Sequence, residues 1–160
     1  MVDSFRKREW DMSTSKHREY ESSSESMTEE LAAEFAKKIH AGSVIALSGD
    51  LGAGKTVFAR GFARGLGISE TVSSPTFTLM QEYKVAGKKG LRWFYHLDLY
   101  RIEDSKAALV FGVDEYLHGT DSVLLIEWAE RINDILPAGT RHVEISHAGG
   151  DRRKIKIREE

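Results

Sequence analysis

At 160 residues, with 41% hydrophobic and 30% charged positions, the chain has the size and balance of one soluble globular domain with a full core. No apolar run approaches the ~20 residues of a membrane span, no signal-peptide core directs export, and the lack of cysteine excludes disulfides and thiolate zinc sites. A net charge of −2, with lysine and arginine scattered, argues against a protein that grips nucleic acid through its own electrostatic face, and a cytoplasmic location is expected.

Residues 1–26 differ from the rest. Seven are serine, the charges alternate in sign and aliphatics are few. Such a segment buries too little apolar surface to offset its ordering entropy. A disordered N-terminal extension is therefore expected over 1–26, ahead of a single domain over 27–160. Its Arg6-Lys7-Arg8 run reads as a solvated patch, and Phe5, Trp10 and Tyr20 are the residues through which part of it could dock.

Ser26-Met27-Thr28-Glu29 has capping-box spacing. Leu31, Phe35 and Ile39, with Ala32 and Ala36, then form one helical stripe that Gly42 closes. Val44-Ile45-Ala46-Leu47 is a short β-branched run and reads as a buried strand. Gly49-Asp50-Leu51-Gly52-Ala53-Gly54-Lys55-Thr56 follows and matches G-x-x-x-x-G-K-[ST] at every fixed position. Thr56 to Leu66 reads as a helix, with Phe58, Phe62 and Leu66 along one side and Gly65 and Gly67 at its end.

The phosphate-loop motif thus sits between a strand and a helix. Its glycines let successive N–H groups converge on phosphate oxygens, and the helix points its positive end at them. Asp50, Leu51, Gly52, Ala53, Gly54, Lys55, Thr56 and Val57 form the expected nucleotide-binding set. Lys55 supplies a cation for the β- and γ-phosphates, and the Thr56 hydroxyl is placed to coordinate Mg²⁺. The Asp50 carboxylate would oppose phosphate, so it is expected to point outward and order the loop through hydrogen bonds. The bland alternative is a glycine-rich turn that binds nothing, and the flanking strand and helix weigh against it.

Pro75 disfavours helix at Ser74, so Ser73-Ser74-Pro75-Thr76 is a loop. Thr76 carries a hydroxyl there; such a loop either senses a γ-phosphate or is a simple turn. Phe77–Val85 and the aromatic-rich Leu91–Leu99 read as two strands joined through Gly87-Lys88-Lys89-Gly90 as a hairpin. Short helices are expected over Asp104–Phe111 and Asp114–Leu117. Val123-Leu124-Leu125-Ile126 is a continuous apolar run, the mark of a central strand buried on both faces. Ala129–Leu136 reads as helical before Pro137. Val143, Ile145 and Ile155, Ile157 flank Ala148-Gly149-Gly150-Asp151 as a last hairpin. The fold class is α/β, a phosphate-loop NTPase three-layer fold whose mixed sheet has a parallel centre and antiparallel hairpins, with ligand at the carboxyl ends of the central strands.

A hydrolase of this class needs a carboxylate for Mg²⁺ and a group that orients water. Glu127, directly after the central run, and Asp98, in His96-Leu97-Asp98-Leu99-Tyr100-Arg101, are the candidates. Each could instead cap a strand end or pair with Arg101 or Arg131. Trp128 reads as packing, or as a ring that stacks on a base or a partner. His96 reads as hydrogen-bonded structure, since no histidine cluster has metal-ligand spacing. No Asn-Lys-x-Asp string occurs, which favours ATP over GTP.

The phosphate loop, Ser74-Pro75-Thr76-Phe77, His96 to Arg101 and Ile126-Glu127-Trp128-Ala129-Glu130-Arg131 together resemble, in order and spacing, the bacterial TsaE (YjeE) family. The resemblance runs from about Thr28 to the final hairpin. It implies a small ATPase that joins the TsaD–TsaB pair in forming threonylcarbamoyladenosine at the tRNA adenosine 3′ of the anticodon, its ATP cycle resetting that complex. By motif, Lys55 and Thr56 hold phosphate and Mg²⁺, Thr76 lies in a switch-like loop, and Asp98 serves the metal. Glu127 is then the acid beside the nucleotide, and Trp128 matches a family tryptophan near the site. Lys55, Thr76 and Glu127 are the implied catalytic set, with tRNA met through the partners and no membrane involved. The extension before Met27 departs from the family pattern. A small-molecule kinase and a nucleotide-sensing adaptor are the alternatives; the first lacks an arginine-bearing lid, because Ala86–Gly90 is short and 104–119 holds no arginine.

Overall fold

In the computed structural model, residues 8–12, 15–75 and 78–159 are described. Eight strands form one sheet: β1 (Arg8–Met12), β2 (Ser15–Ser22), β3 (Val44–Ser48), β4 (Met80–Lys84), β5 (Trp93–Asp98), β6 (Ser122–Glu127), β7 (Arg141–His147) and β8 (Arg153–Glu159). Their order is β1-β2-β8-β7-β3-β6-β5-β4. The parallel centre expected from β3 and β6 extends to β5 and β7, and both flanks are antiparallel. Helices α1 (Glu25–Lys37) and α2 (Lys55–Gly65) cover one face. Helices α3 (Ser105–Val110) and α4 (Asp114–Leu117) and a 3-10 segment, Ala129–Ile135, cover part of the other. Two apolar cores result, one around Phe35, Phe58, Phe62 and Leu125, the other around Leu97, Leu99, Ile126 and Ile132.

All six residues of β6 are buried, as a central parallel strand requires. The α1–α2 contact is unusually close. A Cβ on Gly61 would lie 2.3 Å from the Glu29 carbonyl oxygen, and one on Gly65 2.3 Å from that of Ala33. Gly65 ends α2, as expected, and is also a close-approach residue against α1; Gly67, at φ +86, makes the turn that follows. The approach lets Phe35 meet Phe58 and Phe62 at 6.2 and 6.0 Å between ring centroids.

The expected disordered extension over 1–26 does not hold for 8–12, which forms β1, or for 15–26. β2 pairs with β8 from Lys16 to Ser22, and Tyr20, opposite Ile155, packs against the larger core. Without β2, β8 would leave a row of unpaired backbone groups, so ordering this polar segment is offset by a full ladder of hydrogen bonds. The cap of α1 also differs. Ser24, not Ser26, is the N-cap: its backbone is extended and its hydroxyl accepts from the Met27 amide at 3.1 Å. Three consecutive serines, 22–24, left that choice open in sequence. β4 begins at Met80, directly after Leu79, whose left-handed backbone (φ 66) no strand tolerates; Phe77, the expected start of the strand, lies outside the described residues. The stretch read as helix before Pro137 is 3-10 with a kink at Ile132.

Candidate functional site

The phosphate loop leaves β3 and enters α2 at the carboxyl edge of the parallel strands. Gly49 must be glycine on two counts: its φ is +148, and a Cβ would stand 2.3 Å from the Ile145 carbonyl oxygen of β7. Gly52 (φ +76) and Gly54 (φ +108) have open space where a Cβ would be, so the loop presents bare backbone to the cavity. Ala53 is fully buried while Leu51 is 72% exposed, so these two serve through main chain rather than side chain. The Asp50 side chain is exposed, and its carbonyl accepts the Ala53 amide at 3.0 Å. Val57 lines the same cavity from the first turn of α2.

Lys55 is buried, and its Nζ donates to the carbonyls of Gly49 (2.6 Å) and Asp50 (2.8 Å). Burial pushes its ammonium below the usual lysine pKa, while the charges of Glu127, Glu130, Asp98 and Asp50 hold it up. Nζ also lies 4.3 Å from the centroid of the Trp128 ring. Trp128 reaches that position because the chain turns left-handed (φ 60) at the end of β6. Tyr100 packs against the indole at 5.2 Å and the Arg131 guanidinium lies 5.4 Å from it.

Glu127 and Asp98 stand side by side, because β5 and β6 pair Asp98 with Glu127 in parallel register. Thr56 Oγ1 donates to Glu127 Oε1 at 3.2 Å. Glu127 Oε2 lies 2.6 Å from His96 Nε2. Glu127 thus takes a hydroxyl and an imidazole as partners; Arg131 donates instead to the Ile102 carbonyl at 2.8 Å. Asp98 accepts the Ser74 hydroxyl at 2.8 Å and the Tyr100 amide at 2.9 Å.

One hydroxyl and two carboxylates from three elements therefore converge beside the phosphate loop. Oxygen donors of this kind suit a hard cation that keeps several waters, and Mg²⁺ fits. Among the described residues no group of three or more His, Cys, Asp or Glu could hold a metal alone, so phosphate and water would complete the shell. The cavity measures about 440 Å³. It gathers Leu51, Gly52, Gly54, Lys55, Thr56, Val57, Asp98, Glu127 and Trp128 from the sequence-derived set. Thr76 lies outside the described residues.

Sequence reasoning missed several cavity residues. Glu25 and Thr28 arrive from the first turn of α1. Arg153, at the start of β8, donates through Nε to the Ala53 carbonyl at 2.9 Å, tying the β7–β8 turn to the phosphate loop. No local pattern marks these three; only the sheet order brings them in. Tyr100, two residues after Asp98 in the same six-residue string, also lines the cavity, a signal that was available.

The family model for threonylcarbamoyl adenosine biosynthesis protein TsaE matches residues 22–155. A Bacillus subtilis relative described as tRNA threonylcarbamoyladenosine biosynthesis protein TsaE is 49% identical over 125 residues, 78% of this chain and 73% of its own. A Haemophilus influenzae protein of the same description is 42% identical over 127 residues, covering 78% and 77%. The crystal structure of Bacillus subtilis YdiB aligns with a TM-score of 0.74 at 36% identity, over 92% of this chain and 88% of that one.

Proposed function

The chain belongs to the TsaE family, and from that premise we propose that it is a Mg²⁺-dependent ATPase acting in the formation of threonylcarbamoyladenosine in tRNA. The observation that carries this reading is the Thr56–Glu127 contact of 3.2 Å directly beside Lys55. It joins a phosphate-loop hydroxyl to a strand-end acid at the edge where a nucleotide's triphosphate belongs.

The loop amides and the N-terminus of α2 bind the phosphates, whose charge the helix dipole favours. Lys55 leaves its two carbonyls and the Trp128 face for the β- and γ-phosphate oxygens, exchanging neutral acceptors for charged ones. Thr56 and Glu127, with Asp98, hold Mg²⁺, which neutralises charge on the phosphates when bound. Glu127, 2% exposed, keeps its carboxylate aimed by two hydrogen-bond partners. Thr76, next after Pro75 in the sequence, completes the proposed catalytic set with Lys55 and Glu127. Trp128 and Tyr100 wall the site.

The partners in this reading are TsaD and TsaB, with tRNA met through them rather than through this chain's evenly mixed charge. The compartment is the cytoplasm, where tRNA is modified; among the described residues no helix is long and apolar enough to cross a membrane. The test is ATP turnover with and without TsaD–TsaB. Slow hydrolysis alone and clear stimulation by the pair are expected. Turnover that the pair leaves unchanged would contradict the accessory role, and a metabolite phosphorylated faster than ATP is hydrolysed would replace it with a kinase.

A further inference from the structure

His96 is fully buried on the α2 side of β5, two residue pairs before the Asp98–Glu127 rung. Its ring lies nearly parallel to that of Phe94, at 11° and 6.4 Å. Nε2 is 2.6 Å from Glu127 Oε2, and Nδ1 is buried with no hydrogen-bond partner among the described residues. A hydrogen on Nδ1 would be a buried donor with nothing to receive it, a costlier defect than an unmatched lone pair. A hydrogen on Nε2, donated to Glu127, is the arrangement that leaves no buried donor unpaired.

We propose that His96 is a positioning residue for the metal-side acid. It claims Glu127 Oε2 and so leaves Oε1 turned to Thr56, the orientation in which hydroxyl and carboxylate can share one cation. The inference rests on the reading of Glu127 as the acid that serves Mg²⁺. Geometry separates this role from mere filling of the core. Glu127 is itself 2% exposed and has two partners; removing His96 leaves one carboxylate oxygen buried and free to swing. Partners that stand behind a metal ligand commonly change metal affinity or activity by about 10- to 100-fold when removed.

The test compares His96→Gln with His96→Asn. A glutamine amide N–H can reach the position of Nε2, whereas an asparagine amide stops near Nδ1, so the two differ in reach and not in chemistry. A fluorescent ATP analogue is bound first in EDTA and then across a Mg²⁺ titration, with melting curves as a check on folding. The expected result is unchanged affinity in EDTA for both variants. The Mg²⁺ concentration at half-effect should rise about 10- to 100-fold in His96→Asn and stay near the wild-type value in His96→Gln. A folded His96→Asn with wild-type Mg²⁺ dependence, or a His96→Gln displaced as far as His96→Asn, overturns the proposal.

A side-chain ¹⁵N spectrum of the histidines in the unmutated protein gives a second readout that no folding defect can obscure. It should place the His96 hydrogen on Nε2, before and after addition of Mg²⁺ and the analogue; a hydrogen on Nδ1 contradicts the role. If the unmutated protein takes up no analogue, the ATPase reading itself fails. If it does and His96→Asn behaves as wild type, the ATPase reading stands and only the positioning role falls.

Discussion

Gly61→Ala should destabilise the protein although it improves helix propensity. In an exposed helix interior the change would stabilise by about 1 kcal/mol. Here the new methyl would sit 2.3 Å from the Glu29 carbonyl oxygen, 2.5 Å from its Cα and 2.7 Å from its carbonyl carbon. All three atoms are α1 backbone, so no rotamer change relieves the clash. Ordinary contact needs α1 and α2 to part by about 1 Å, which loosens Phe35 against Phe58 and Phe62 in a core packed like a crystal. Overpacking of this kind costs about 1–3 kcal/mol or more, which outweighs the propensity gain. A net loss of about 1–2 kcal/mol lowers Tm by roughly 2–8 °C in a domain of this size. Arg60→Ala is the control. Arg60 pairs with the same Glu29 at 3.0 Å but is 44% exposed, so its loss should cost no more than about 1 kcal/mol. Urea and thermal unfolding of both variants read the difference. A Gly61→Ala protein as stable as wild type, or more so, would refute the close-packing account of the two helices.

Lys55→Ala removes the cation that the loop motif itself supplies, and calorimetry should show nucleotide affinity reduced by an order of magnitude or more. Glu127→Gln keeps the shape and loses the charge; it should spare ATP binding in EDTA and abolish most Mg²⁺-dependent turnover, and equal losses of both would mean the residue is structural. The lowered pKa of Lys55 has a sign that can be read. Between that value and the ordinary lysine value near 10.4 the unfolded chain binds more protons than the folded one, so the cost of burying this ammonium is relieved as pH rises through the window. Lys55→Met should therefore gain most over wild type below the window and lose that advantage above it, measured as denaturation midpoints on the two sides; a pH-independent difference would contradict the burial account.

Much of this architecture was legible in residues alone, for reasons specific to each. The run 123–126 could only be a doubly covered strand, and β6 is buried throughout. Motif and flanks fixed the β3–loop–α2 unit, because glycine positions, strand and helix all obey local rules. The hairpin built of Val143, Ile145, Ile155 and Ile157 followed from alternation. What failed was what only neighbours decide. β2 is polar by composition and orders because the edge of β8 needs pairing. Gly65 does end α2, but its contact with the Ala33 backbone has no local signal. In the site, Asp98 and Glu127 were found as strand-end acids, but the parallel register that sets them side by side belongs to the sheet. His96 read as hydrogen-bonded structure, and it does make a hydrogen bond; that its partner is Glu127 could not be seen across thirty residues of sequence. Arg153 reaches Ala53 from the far end of the chain, with no local signal at all.

The most direct measurement is isothermal titration of ATP into the folded protein, with Mg²⁺ and with EDTA, followed by turnover in the presence of TsaD and TsaB. One site per chain is expected, tighter with Mg²⁺ than without it, weakened in Lys55→Ala, and hydrolysing faster once the two partners are added. Heat-silent mixing of Mg²⁺·ATP with well-folded protein, alone and with both partners, would contradict it.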